Sequence, residues 1–456
     1  MNVKHKKSWK HEKLFLWIKF NPAIILSLGF LCLILIGTGL LMLPFATVDR
    51  HHLAFIDALF EATSAVCVTG LVVVDTLTTF TLFGQIVILI LIQIGGLGFM
   101  TIGIMIALLL GKNVGLQSRI LIQESFNQLT LGGMVRLVKF VLIFTLIIEG
   151  IGAIILSIRW ANEYGMMKSI YYGIFHSISA FNNAGFDLMG NFSSMTKYVG
   201  DYTIVLTLSS LFIIGGIGFT VIMDISKKKP FKKLSLQTKL VLIMTVVLNV
   251  LGTMFILAME YNNPSTLGPL PLKDQLLGAY FHGVVPRTAG FNTLSMPDLT
   301  LSSQLVTMLL MFIGGASGGT AGGIKVTTFA VILLAIWSVI KKQNNMNVMG
   351  RQLSKDIIFR AFAIAVYSAG IICFIVFLLT ITEDAPLNVL LFEVISAFGT
   401  VGVTLNFTPE LTTAGKALIA ITMFIGRVGP LTIAFALASG RKQQSLKYTE
   451  EKIMIG

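Results

Sequence analysis

Four times along the chain a short apolar segment led by an aromatic residue ends in glycine, and each time it lies between two much longer apolar runs. The segments are LFEATSAVCVTGL at 59–71, IFHSISAFNNAGF at 174–186, AYFHGVVPRTAGF at 279–291 and LFEVISAFGTVGV at 391–403. They bring Gly70, Gly185, Gly290 and Gly402 to matching places, at intervals of 115, 105 and 112 residues. An internal repeat of this kind constrains the fold strongly, because each copy forms the same supersecondary unit. The long runs lie near 23–43, 80–110, 140–158, 202–223, 240–259, 301–340, 361–381 and 417–438. About 20 apolar residues in a helix cross a hydrocarbon core of ~30 Å, whereas a segment of about 12 does not. Each glycine-ended segment is therefore expected to dip into the membrane and return.

The expected fold is an all-α integral membrane protein of four helix-pore-helix repeats, eight transmembrane helices plus four re-entrant pore helices, with pseudo-fourfold symmetry about the membrane normal. Tails at 1–19 and 443–456 flank repeats at 20–134, 135–235, 236–357 and 358–442. Composition agrees with a membrane protein: 55% of residues are hydrophobic and only 12% charged, against the roughly 25% charged of soluble domains. Cys32, Cys67 and Cys373 are scattered and suggest no metal or redox centre. The first apolar run exceeds the core of a signal peptide and reads as a span.

A net charge of +13 raises nucleic acid as a partner, and the placement of the charges argues against it. Of 34 Lys and Arg, 25 fall within 4–19, 112–139, 227–239, 341–360 and 441–452, all on one face if each repeat crosses twice. That face is expected to be cytoplasmic, with both chain ends inside and the chain in a plasma membrane. The opposite loops hold seven basic and fourteen acidic residues, a balance that concentrates cations at the outer face.

Non-helical backbone at membrane depth needs a water-filled or ion-filled path to satisfy it. Backbone carbonyls there can replace the hydration shell of potassium, and glycine permits the angles that turn them inward. The partly negative C-terminal end of each short helix adds attraction for a cation. A second feature is GGASGGTAGG at 314–323, six glycines in ten residues in the middle of an apolar run. Each glycine weakens a helix by roughly 0.5–1 kcal/mol relative to alanine, so a loop is expected, with close helix packing as the competing reading. The matching stretches QIGGLGF, IGGIGF and IGRVGP carry less glycine, which points to a special role for the third. Arg427 lies within an apolar run, where a charge faces a cavity or forms an ion pair. Lys325 closes the glycine stretch and reads as snorkelling, Glu149 as a packing partner, and His176 and His282 as satisfied polar residues of the short helices.

With its four glycine-ended stretches and its glycine-rich loop, the chain from about 21 to 441 resembles the Trk/Ktr/HKT superfamily of potassium transporters, most closely the membrane subunit of bacterial Ktr systems. The resemblance implies a selectivity filter of Val68, Thr69 and Gly70, Asn183, Ala184 and Gly185, Thr288, Ala289 and Gly290, and Thr400, Val401 and Gly402, with potassium at the backbone carbonyls. A serine in place of the first glycine marks sodium-preferring plant relatives, so Gly70 implies preference for potassium. Beneath the filter the resemblance places a gate of Gly314, Gly315, Ala316, Ser317, Gly318, Gly319, Thr320, Ala321, Gly322 and Gly323, with Arg427 beside it. It further implies potassium as the transported ion, sodium as an activator, no covalent cofactor, and a homodimer seated on a cytosolic ring of RCK subunits that bind ATP or ADP. The third stretch departs from the pattern, matching only if Tyr280 replaces the leading phenylalanine, with Pro286 and Arg287 just before the filter. An alternating-access cation carrier is the rival reading. A membrane-embedded enzyme is disfavoured, since HExxH, GxSxG and paired intramembrane carboxylates are absent from the sequence.

Overall fold

The computed structural model describes residues 22–98, 101, 134–228, 230–342 and 346–429. Both tails, the outer parts of the runs at 80–110 and 417–438, and most of the basic clusters lie outside the described residues. Among the described residues the regular structure is helical apart from one hairpin, in which Asn347 pairs with Gln352 and Val348 with Arg351. Met349 and Gly350 turn that hairpin with φ of 50° and 77°, the left-handed pair a two-residue turn requires.

Four helices are long and apolar enough to cross a bilayer: α1 (Pro22–Leu41), α4 (Met134–Tyr164), α8 (Leu236–Glu260) and α12 (Lys355–Thr382). Each opens one of the sequence repeats and runs unbroken. Their outward sides carry exposed Leu146, Ile154, Val366 and Phe374, as a lipid-facing surface does. Four shorter helices follow them, α2 (Phe55–Cys67), α5 (Met166–Phe181), α9 (Leu272–Val284) and α13 (Leu387–Gly399). All four bury their last turns, and in each the ring of Phe60, Phe175, Phe281 or Phe392 is wholly enclosed.

Outside the third repeat, where the glycine-rich stretch predicts a loop, the closing helices depart from the sequence expectation. Instead of continuous spans, α3 (Leu82–Leu97), α6 (Tyr202–Ile217), α10 (Leu301–Phe312) and α14 (Thr413–Val428) all stop part-way. Three end at a glycine of positive φ: Gly98 at 80°, Gly218 at 94° and Gly429 at 97°. A side chain resists that backbone, so the glycine terminates the helix. After Gly218 the chain resumes as α7 (Phe219–Ser226), bent by 93° from α6, and the run at 202–223 is thus a broken one. After Phe312 it crosses a long loop before α11 (Val326–Ile340). Among the described residues the chain thus resumes after two of the closing helices, α6 and α10, and the interruption after α10 is the longer.

Each closing helix begins at a side-chain cap. Thr81, Asp201, Thr300 and Thr412 accept from the backbone N–H three residues on. The caps are also tied to the opening half of the same repeat: Arg159 Nε donates to Asp201 at 2.6 Å, Thr300 Oγ1 to Glu260 at 2.7 Å, Thr412 N to Glu383 at 3.1 Å, and Thr81 Oγ1 to the Phe45 carbonyl at 2.7 Å. These ties set where each short helix enters and where the chain behind it leaves.

Candidate functional site

The four short helices end in one backbone pattern. Val68, Asn183, Thr288 and Thr400 have φ of 57°, 61°, 74° and 50°, and two residues on Gly70, Gly185, Gly290 and Gly402 have φ of 92°, 71°, 80° and 92°. The residues between them, Thr69, Ala184, Ala289 and Val401, are not left-handed. Alternating handedness turns successive peptide planes to the same side, whereas an extended strand alternates them. A β-branched residue at positive φ is strained by about 1–3 kcal/mol, and Val68, Thr288 and Thr400 keep that conformation only because their surroundings hold them. The resemblance includes all four positions in the filter stretches, but their left-handed backbone is not legible in the sequence, since valine and threonine disfavour it and only asparagine adopts it readily.

The glycines meet. A Cβ built on Gly185 would lie 2.5 Å from the Cα of Gly290, one on Gly290 3.0 Å from the Val401 carbonyl oxygen, and one on Gly402 2.9 Å from the Cα of Gly70. A Cβ on Gly70 would strike the Ala184 carbonyl oxygen. Each of the four stretches thus abuts the next in a closed ring, with no room for a side chain at any of the four positions.

Serines of the short helices pin three of the stretches. Gly70 N donates to Ser64 Oγ at 3.0 Å and Gly402 N to Ser396 Oγ at 3.2 Å, while Ser179 Oγ donates to the Phe186 carbonyl at 2.6 Å. One turn earlier a buried polar residue holds the chain beyond three of the glycines. Glu61 Oε1 accepts from Val73 N at 2.8 Å and Val74 N at 3.2 Å; Glu393 accepts from Thr404 Oγ1 at 2.6 Å and from Thr408 Oγ1; His176 Nε2 accepts from Leu188 N at 3.2 Å. Glu61→Ala leaves the Val73 and Val74 amides without that acceptor, which costs about 1–3 kcal/mol for each buried group left unmade. A lowered melting temperature in detergent, with Glu61→Gln closer to the parent, is the expected result; an unchanged melting temperature would show the bonds to be dispensable.

The third stretch needs a correction. Glu61, His176 and Glu393 precede their glycines by nine residues and His282 precedes Gly290 by eight, so the enclosed leading ring is Phe281 and Tyr280 is not its substitute. The shorter path shows in the backbone: Ala289 N reaches back four residues to the Val285 carbonyl, where Thr69, Ala184 and Val401 reach back five. Val285 supplies no hydroxyl, and His282 is buried with neither ring nitrogen hydrogen-bonded, unlike the satisfied His176. Arg287 turns away from the ring to Asn249 Oδ1 at 2.9 Å and the Thr245 carbonyl at 3.3 Å.

Residues 313–325 form the expected loop and not a packed helix. Gly314 N donates to the Ile324 carbonyl at 2.9 Å and Val326 N to the Gly315 carbonyl at 2.9 Å, closing its neck. The loop rests on the break between α6 and α7: Ala316 N donates to the Gly216 carbonyl at 2.9 Å, and Phe219 N to the Gly318 carbonyl at 2.9 Å. Its tip reaches the base of the glycine ring. Thr320 Oγ1 donates to Asn183 Oδ1 at 2.7 Å, and a Cβ on Gly322 would collide with the Thr400 side chain. Arg427, at the end of α14, binds the Thr320 carbonyl with one terminal nitrogen and the Gly95 and Gly96 carbonyls with the other. Lys325 does not snorkel; its Nζ donates to the Ala321 carbonyl at 2.7 Å within the loop. Glu149 joins a network the sequence did not reveal, accepting from Gln93 Nε2 at 3.3 Å and Asn182 Nδ2 at 3.0 Å.

On the other side of the ring a cavity of about 370 Å³ opens, lined by the four glycines and by Asp75, Asp187 and Glu410. Burial, with the nearby Asp75 charge adding to it, pushes the Asp187 carboxyl up to about 6. Cavity, ring and loop thus follow one another in a line, an arrangement that can desolvate, hold and release a cation.

The family described as "TrkH: Cation transport protein" matches residues 4–446. The chain is 48% identical over 445 residues to the Ktr system potassium uptake protein B of Bacillus subtilis (strain 168), covering 98% of this chain and 99% of the relative. It is 42% identical over 439 residues to the protein of the same name from Vibrio alginolyticus, covering 96% and 95%. Its fold is similar to the crystal structure of the potassium transporter TrkH from Vibrio parahaemolyticus, with a TM-score of 0.68 at 21% identity over 90% of this chain and 85% of that one.

Proposed function

We propose that this chain, which belongs to the TrkH family of cation transport proteins, carries potassium into the cell down its electrochemical gradient through the ring of Gly70, Gly185, Gly290 and Gly402. The observation that carries the reading is the meeting of the four glycine backbones between an acidic cavity and a loop. Carbonyls of 68–70, 183–185, 288–290 and 400–402 form the filter and replace the shell of water around the ion. One ring built from four helix-pore-helix repeats favours a pore over two inverted halves that rock about a site. The loop at 314–323 is the gate, and Arg427 clamps it shut through the Thr320 carbonyl. The family is one of transporters and not of enzymes.

Both termini lie in the cytoplasm of a bacterial cell and the chain in its plasma membrane, a reading that the basic clusters support. Two copies sit on a cytosolic RCK ring that binds ATP or ADP, and α11 transmits its movement to the loop; sodium acts as an activator. Flux into vesicles that ignores the ring, the nucleotide and sodium would count against these assignments. The transport reading itself is tested by growth of a potassium-uptake-deficient bacterium on low potassium, with this chain and a matching cytosolic subunit supplied together. Growth is expected, and its absence with both proteins expressed overturns the reading.

The acidic cavity adds a dependence on pH. A carboxyl with its pKa raised to about 6 is largely ionised at neutral pH and becomes neutral as pH falls through that value, so cation attraction in the mouth weakens on the acid side. Rubidium uptake is expected to fall about two- to fivefold as external pH drops from about 7.5 to about 5, and Asp187→Asn should flatten the profile over that window. An identical profile in the variant excludes Asp187 as the cause.

A further inference from the structure

We infer that Asn183 is a positioning residue that couples the loop to the glycine ring, so that the state of the loop sets ion selectivity as well as flux. The inference rests on the proposed reading of loop and ring. The side-chain amide of Asn183 has two partners on different elements. Its Oδ1 accepts from Thr320 Oγ1 of the loop at 2.7 Å, and its Nδ2 donates to Thr288 Oγ1 at 3.3 Å. Asn183 and Thr288 occupy the same place in their stretches, each at positive φ and each two residues before a ring glycine. One amide therefore spans the loop and two adjacent members of the ring.

Thr320 cannot shift alone. Its N–H donates to the Gly215 carbonyl at 3.3 Å, its carbonyl accepts from Arg427, and its hydroxyl also lies 3.3 Å from the Phe181 carbonyl. Withdrawing the loop must break the Thr320 to Asn183 bond, and a buried amide that loses one partner reorients to recover another. That reorientation acts on Asn183 and Thr288 together, and through them on Gly185 and Gly290, whose backbones touch. A loop that merely plugged the path would change flux and leave selectivity alone. A loop joined to the ring through Asn183 changes both.

The test uses the full chain reconstituted in vesicles, with rubidium uptake for flux and the ratio of apparent potassium and sodium affinities for selectivity. Thr320→Val removes the hydroxyl and keeps the shape; the expected result is a roughly three- to tenfold rise in flux with a roughly three- to tenfold fall in the affinity ratio, the scale of one hydrogen bond. Thr320→Ser keeps the hydroxyl and should return the ratio toward that of the parent chain. Asn183→Gly keeps the left-handed backbone and removes the amide, so adding Thr320→Val to it should change the ratio no further. A ratio unmoved by Thr320→Val, or two substitutions whose effects on the ratio combine independently, overturns the coupling. A chain with a shortened 314–323 loop separates the premises: raised flux there with an unmoved ratio in Thr320→Val defeats the coupling and leaves the gate standing, whereas unchanged flux there defeats the gate and the inference with it.

Discussion

Alanine in place of Gly185 or Gly290 is expected to lower the preference for potassium over sodium by about tenfold or more, at unchanged membrane insertion. The two Cα atoms are so close that a Cβ on either glycine would lie 2.5 Å from the other residue's Cα, and the obstacle is backbone, which cannot rotate aside. Both residues also hold positive φ, at 71° and 80°, where a Cβ is strained whatever the space. The ring must then open, and an opened ring fits the shell of the smaller ion no worse than that of the larger. Gly70→Ser tests the same point at another side of the ring, where the Cβ would strike the Ala184 carbonyl oxygen and lie 3.2 Å from the Gly185 Cα, and admission of sodium is the expected result. The measurement is the apparent affinity of uptake for each ion in vesicles. Affinities for both ions that stay unchanged after substitution at all four glycines would remove the ring from the ion path.

Shortening the 314–323 loop is expected to raise potassium flux more than any other change to this chain, because the loop tip lies directly against Asn183 and Thr400 at the base of the ring. Neutralising Arg427 should achieve part of this. Its guanidinium gathers the Thr320 carbonyl of the loop and the Gly95 and Gly96 carbonyls at the end of α3, and hydrogen bonds from a charged donor contribute about 1.5–3 kcal/mol each. Losing the bond to the loop shifts an open-closed equilibrium by about tenfold or more. Arg427→Gln therefore should raise rubidium flux by roughly that factor, and the loop deletion by more. Unchanged or lower flux in a well-expressed deletion would instead make the loop a packing element.

Among the positions tested above, the ring glycines, the loop and Arg427 all stand out in the sequence, whereas the pairing of Asn183 with Thr320, 137 positions apart, does not. The same division runs through the fold. Apolar runs of bilayer length and a glycine behind each short segment are local properties, and they determined by themselves that the chain enters a membrane, that it does so in repeats, and that four glycines occupy equivalent places. The glycine-rich stretch likewise foretold a loop, since six glycines weaken a helix wherever it is placed. Gly98, Gly218 and Gly429 were present in the sequence too, yet a lone glycine in an apolar run can either pack against a neighbour or end a helix. The register of the third stretch turned on one missing residue, visible once Phe281 proved to fill the place of Phe60, Phe175 and Phe392. Only the tertiary structure decided which stretches touch, that Arg427 reaches carbonyls 332 and 107 residues before it, and that Glu149 and Gln93 meet behind Asn182. The physical reason is that hydropathy and backbone freedom act over one or two helical turns, while a hydrogen bond depends on a few ångströms of separation that the packing of distant helices alone determines.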